Sequence, residues 1–143
     1  MNRRDVLKIG AATAVTVAVG AQADTMPQKH MNRTEMKPVN PAKMTKAELK
    51  HSPQVTIGAK DAAGYTLISI TVGQGGIIHP STKGHWIDYI ELYADNKLVG
   101  KNVLEPEISR GATSFAVKLD NIKSIKAKSA CNLHGIWTTT VQL

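Results

Sequence analysis

From Val55 to Leu143 the chain is written in short β-branched runs separated by turn residues, and this pattern limits its fold more than any other feature. Tyr65-Thr66-Leu67-Ile68-Ser69-Ile70-Thr71-Val72 alternates apolar with small polar side chains, the period of a half-buried strand. Gly73-Gln74-Gly75-Gly76 breaks it, and Lys60 to Gly64 forms the turn before it, after a short strand starting at Val55-Thr56-Ile57. Trp86 to Tyr93 is the longest strand candidate, and Ala94-Asp95-Asn96-Lys97 turns it into Leu98 to Val103. Thr113 to Leu119, Ile122 to Ala130 and Trp137 to Leu143 complete seven short strands, with no helical window between them. Strands of this number and spacing predict an all-β fold, a β-sandwich with Greek-key connections. A domain of this size buries about 65% of its unfolded surface, enough for a core without disulfides.

Composition narrows the chemistry. The 143 residues contain one cysteine, Cys131, so an intrachain disulfide and a four-cysteine metal site are both excluded. No apolar run reaches the ~18–20 residues of a membrane span. Neither a P-loop nor a dinucleotide-binding glycine motif occurs, so nucleotide chemistry has no seat. The net charge of +7 is spread along the chain and does not form the basic stripe of a nucleic-acid binder.

The first residues read as an address. Asn2-Arg3-Arg4-Asp5-Val6-Leu7-Lys8 is basic, the 15 residues Ile9 to Ala23 are uncharged and mildly apolar, and Ala21-Gln22-Ala23 is a cleavage pattern. The paired arginines before a weak apolar segment resemble a twin-arginine export signal, so residues 1–23 are expected to be a signal peptide and the protein periplasmic. Removing them takes three basic and one acidic residue and lowers the net charge from +7 to +5. Residues 24–46 hold Pro27, Pro38, Pro41 and many charges without apolar period, and read as a flexible tether. Met26, Met31, Met36 and Met44 stand in it, with His30. Thioethers suit Cu(I), but the composition favours a solvated linker. Residues 47–143 are the β-domain.

Five side chains in that domain carry the chemistry: His51, His79, His85, Cys131 and His134. His79 and His85 are separated by five residues, and Cys131 and His134 form a C-x2-H turn. Singly, each reads as polar surface or as a small core residue. Together, imidazole and thiolate suit iron, copper or zinc and are wrong for calcium or magnesium. Asp88 and Glu91 differ by an odd number within a strand, so they are expected on opposite faces and not as an acid–base pair. Trp86 and Trp137 are expected in the core or beside the site.

Four strings, Lys50-His51-Ser52-Pro53, His79-Pro80-Ser81-Thr82-Lys83-Gly84-His85, Ile87-Asp88-Tyr89-Ile90-Glu91-Leu92-Tyr93 and Cys131-Asn132-Leu133-His134-Gly135-Ile136-Trp137, resemble the superoxide reductase family of neelaredoxins and desulfoferrodoxins. The resemblance runs from Glu48 to the C-terminus. The cysteines of the family's desulforedoxin domain are missing, so the chain resembles the one-iron class. The resemblance implies an immunoglobulin-like sandwich holding one mononuclear iron, with His51, His79, His85 and His134 equatorial, Cys131 axial and the sixth position open. It implies reduction of superoxide to hydrogen peroxide, with an unidentified one-electron donor protein as partner. Lys50 matches the lysine that attracts superoxide and helps protonate the product, and is the expected catalytic residue. The family's resting ferric ligand is a glutamate directly before that lysine. Leu49 stands there instead, with Glu48 one residue earlier, so either Glu48 or water is left for that position.

Two other readings fit part of the same pattern. A protein of the same fold could hold iron, or a sulfur intermediate on Cys131, without reductase activity. A cupredoxin-type copper protein would also be small, exported and all-β, but it needs a methionine shortly after its histidine. Gly135, Ile136 and Trp137 follow His134, and no methionine lies beyond Met44. The sequence leaves a homo-oligomer open and names no electron donor.

Overall fold

The computed structural model describes residues 31–143. The expected signal peptide, together with Met26 and His30, lies outside the described residues. Eight strands and one short helix follow in chain order: β1 (Glu35–Met36), α1 (Lys46–His51), β2 (Pro53–Lys60), β3 (Thr66–Val72), β4 (Ile87–Ala94), β5 (Lys97–Val103), β6 (Ala112–Val117), β7 (Ser124–Cys131) and β8 (Gly135–Gln142). They form a five-stranded sheet in the order β1-β8-β7-β4-β5 and a three-stranded sheet in the order β2-β3-β6. Among the described residues no helix is long and apolar enough to cross a membrane.

The alternation seen in the sequence builds the core. Ile68, Ile70 and Val72 of β3 face Ile87, Ile90 and Leu92 of β4 and Ile125 and Ala127 of β7, all of them buried. Each large aliphatic side chain removed from water contributes about 1.5–3 kcal/mol, enough to clamp the two sheets face to face. The β4–β5 hairpin turns on Asp95 and Asn96 with φ of 43° and 68°, the left-handed pair that matches strand twist. The Asp95 carboxylate also accepts the backbone N–H of Ser124 at 2.9 Å and so ties the hairpin to the start of β7.

Three features depart from the sequence reading. The segment expected as a tether is laid along the domain over residues 31–46. β1 pairs parallel with β8, Glu35 opposite Ile136 and Met36 opposite Trp137, and Arg33 forms an ion pair with Asp88. A helix is present where none was expected. Its six residues carry no readable period, and it stands on a capping box between Thr45 and Glu48. Asp88 and Glu91 do not follow simple alternation. The pairing of β4 with β7 shifts between Ile87 and Tyr89, and Asp88 and Tyr89 both turn away from the core. A bulge adds one residue and removes the odd-spacing argument. Asp88 binds Arg33 and Glu91 binds Lys101, so neither is free for acid–base chemistry.

Candidate metal centre

Four segments bring the five expected side chains to one end of the sandwich. His51 is the last residue of α1 and is 4% exposed. Its carbonyl accepts the Ser129 hydroxyl at 2.9 Å, which pins the helix to β7. His79 and His85 come from the connection between β3 and β4. That connection starts at Gly73, φ 109°, where any Cβ would collide with the Ile77 carbonyl. The His79 N–H then donates to the Val72 carbonyl at 3.2 Å. His85 sits in a tight turn, its N–H shared between the Thr82 carbonyl and hydroxyl at 3.2 and 3.1 Å. Cys131 closes β7, fully buried, and His134 stands exposed in the turn to β8.

The donor atoms converge. His134 Nδ1 lies 3.0 Å from His51 Nε2, 3.2 Å from His85 Nε2 and 3.5 Å from Cys131 Sγ. The ligand atoms of these four residues all lie within 4.8 Å of one another. The His79 ring packs edge-on beside them, 5.0 Å from His51 and 4.6 Å from His85 between ring centres. Trp137 stacks on His51 at 5.5 Å and donates its Nε1–H to the His134 carbonyl at 3.0 Å. A groove of about 270 Å³ runs past His51, His134 and Trp137 and is flanked by Met36 and Leu133.

Hydrogen bonding fixes the tautomers. His51 Nδ1 faces the Ala47 carbonyl at 2.6 Å, and His79 Nδ1 faces the Pro80 carbonyl at 2.8 Å. A carbonyl only accepts, so each Nδ1 carries the proton and each Nε2 presents a lone pair. His134 Nδ1 can donate at most one proton, too few for the two nitrogens and the sulfur around it. The His79 Nε2 is buried with no hydrogen-bond partner at all. Converging lone pairs and an orphaned buried nitrogen are what a soft or borderline cation would satisfy.

Burial prepares these groups as ligands. Loss of water pushes His51 down to about 4 and His79 down to about 3, and the neighbouring rings add to it. His85 is lowered by burial, then by the charges of His134 and Lys50. These imidazoles are therefore neutral at pH 7. Burial pushes the Cys131 thiol up, against the backbone N–H groups of Leu133 and His134, which donate to its sulfur. Lys50, half-buried on α1, is close enough for its charge to bear on His51, His85 and Cys131.

Two residues are more than the sequence reading made of them. Asn132 is 5% exposed and joins the two ligand-bearing loops. Its Oδ1 accepts the Trp86 N–H at 2.9 Å, its Nδ2 donates to the Gly84 carbonyl at 2.9 Å, and its backbone carbonyl accepts the Asn32 N–H at 2.9 Å. Nothing local in the sequence marks this hub. Glu48 is held by the backbone. Its Oε1 accepts the Val39 N–H and its Oε2 the Thr45 N–H, both at 2.7 Å. These bonds hold its carboxyl below the usual carboxylate range. The signal that marks it in the sequence is the capping-box spacing Thr45-Lys46-Ala47-Glu48, which the sequence reading did not use.

A small β-sandwich with a histidine–cysteine cluster at one end defines a metal-binding domain. Residues 43–140 match the family model for desulfoferrodoxin, and the chain belongs to the desulfoferrodoxin family. A desulfoferrodoxin of Nitratidesulfovibrio vulgaris is 38% identical over 91 residues, 64% of this chain and 62% of that protein, so the match spans less than two-thirds of that relative. A superoxide reductase of Pyrococcus horikoshii is 34% identical over 86 residues, 53% of this chain and 73% of that protein. The solved superoxide reductase (1Fe-SOR) from Giardia intestinalis superposes with a TM-score of 0.57 at 27% identity, covering 66% of this chain and 98% of that one.

Proposed function

We propose that this chain is a superoxide reductase, adding one electron and two protons to superoxide to give hydrogen peroxide at a single iron. The observation that carries this is the convergence of three imidazole nitrogens and one sulfur within 4.8 Å, in a chain of this family. His51, His85, His134 and Cys131 would hold the iron, with His79 as the fifth donor through its orphaned Nε2. Iron bound there supplies a one-electron couple and an attraction for a small anion. The protein does the rest. Imidazole donors in their neutral form add no charge of their own, so the positive charge at the site is left uncancelled except by the sulfur. The Leu133 and His134 N–H groups spread the charge of a Cys131 thiolate and tune its donation. Lys50 holds a cation beside the site, where it draws the anion in and can hand on a proton.

The test is metal content and colour. The purified protein should bind about one iron per chain, and its oxidised form should show a visible sulfur-to-iron charge-transfer band. Cys131→Ser should abolish the band. A copper–thiolate spectrum, or stoichiometric zinc with no iron, overturns the proposal.

The same reading extends to location. Arg3 and Arg4 support export in the folded state by a twin-arginine route, which would let iron be inserted before the protein reaches the periplasm. Changing both arginines to lysine keeps the charge and removes the motif. Export should then stop, and unchanged periplasmic yield counts against the route.

A further inference from the structure

We infer that Glu48 is a positioning residue that sets His51 and Lys50 at the metal centre from behind, and is not itself a ligand; the inference rests on the metal-site reading above. A buried carboxylate three residues from a candidate ligand invites the opposite assignment. Glu48 is 8% exposed and takes part in none of the ion pairs found among the described residues. Its two oxygens are instead spent on the Val39 and Thr45 N–H groups, and its own N–H returns to the Thr45 hydroxyl at 3.2 Å. Its carbonyl accepts the Ser52 N–H at 2.9 Å, at the other end of the helix. The side chain thus closes the N-terminal end of α1, and the backbone of the same residue closes the other.

The helix depends on that closure. Six residues are far too few to hold a helix in water, because nucleation is costly and few bonds repay it. The last turn of α1 carries the chemistry: Lys50, and His51 with its Nδ1 proton on the Ala47 carbonyl. If α1 frays, Ala47 leaves and the His51 ring is free to turn. The Val39 bond adds a second restraint, since it ties the segment after β1 to the same carboxylate. Leu49, whose carbonyl accepts the Gln74 N–H at 2.9 Å, carries no carboxylate, and Glu48 is the one acidic residue of α1, so no carboxylate of the helix is left over for the metal.

Cobalt(II) binding to the full chain tests this without reference to turnover. Glu48→Ala should weaken cobalt affinity by about 10-fold or more, the usual effect of losing a partner that orients a ligand. It should also shift the ligand-field bands. Glu48→Gln keeps the shape and one acceptor oxygen, and should lose less. Thr45→Ala, which leaves the carboxylate and both of its N–H partners in place and removes the hydroxyl that accepts the Glu48 N–H, opens the other half of the capping box and should weaken affinity in the same direction. If Glu48→Ala does not fold, the Gln and Thr45 variants carry the comparison. Wild-type affinity and bands in folded Glu48→Ala overturn the inference. So does full affinity in Thr45→Ala beside a loss of coordination number in Glu48→Gln, which would make Glu48 a ligand. Failure of the superoxide reading would appear in the iron protein and leave these cobalt comparisons intact.

Discussion

An imidazole in water is half protonated near pH 6.5, and His51 and His79 have been taken out of water. Their neutral forms are held in the fold down to about 4 and about 3. The unfolded chain binds protons at these positions first, so acid favours unfolding. The contribution is complete above pH 6.5 and is lost as pH falls from there toward the folded values. The metal-free protein should therefore hold a constant thermal midpoint from pH 7 to 8 and lose stability steadily between about pH 6.5 and 4. His79→Gln should flatten that slope, and an equal slope in both proteins would show that other groups dominate it. These residues were legible because histidine and cysteine in one small domain imply a metal on chemical grounds. Their convergence was not. It depends on hydrogen bonds such as those of Asn132 that join positions 46 and 48 residues apart.

At the scale of elements, seven runs of alternating residues became β2 to β8, because a half-buried strand imprints its period on its own sequence. β1 and α1 left no such imprint. β1 is two residues long and exists because β8, a hundred positions later, offers its edge. The feature that admits it is Gly135, with φ 86° and the Thr34 carbonyl pressed against the place where a Cβ would be. The Ile136 N–H donates to that same carbonyl at 2.8 Å. Gly135→Ala must strain the left-handed backbone and push the 31–36 segment off the sheet. It should destabilise the protein by about 2 kcal/mol, from the backbone alone. Denaturant unfolding measures that loss, and faster exchange of the Ile136 amide locates it. Unchanged exchange at Ile136 would mean that the edge strand survives and the strain is absorbed elsewhere.

The whole molecule is cationic, with a formal charge of +7, but net charge is a poor guide to what a small anion meets at the site. At physiological ionic strength fields fade within about 8 Å, so exposed lysines on the far strands are screened from it. What remains is local, and among the groups whose charge bears on His51, His85 and Cys131 the lysine is Lys50. A cation so placed raises the capture rate of an anion by about 10-fold or more, and salt erodes the gain. Lys50→Ala should leave iron content and the oxidised spectrum unchanged, because no donor atom of the cluster is touched. It should slow the second-order oxidation of the reduced protein by superoxide, and flatten its dependence on ionic strength. Lys50→Arg keeps the charge and should restore most of the rate. Pulse radiolysis of the three reduced proteins across a salt series separates these effects. An unchanged rate and salt slope in Lys50→Ala would move the source of the field to Lys83, which stands exposed in the loop between His79 and His85.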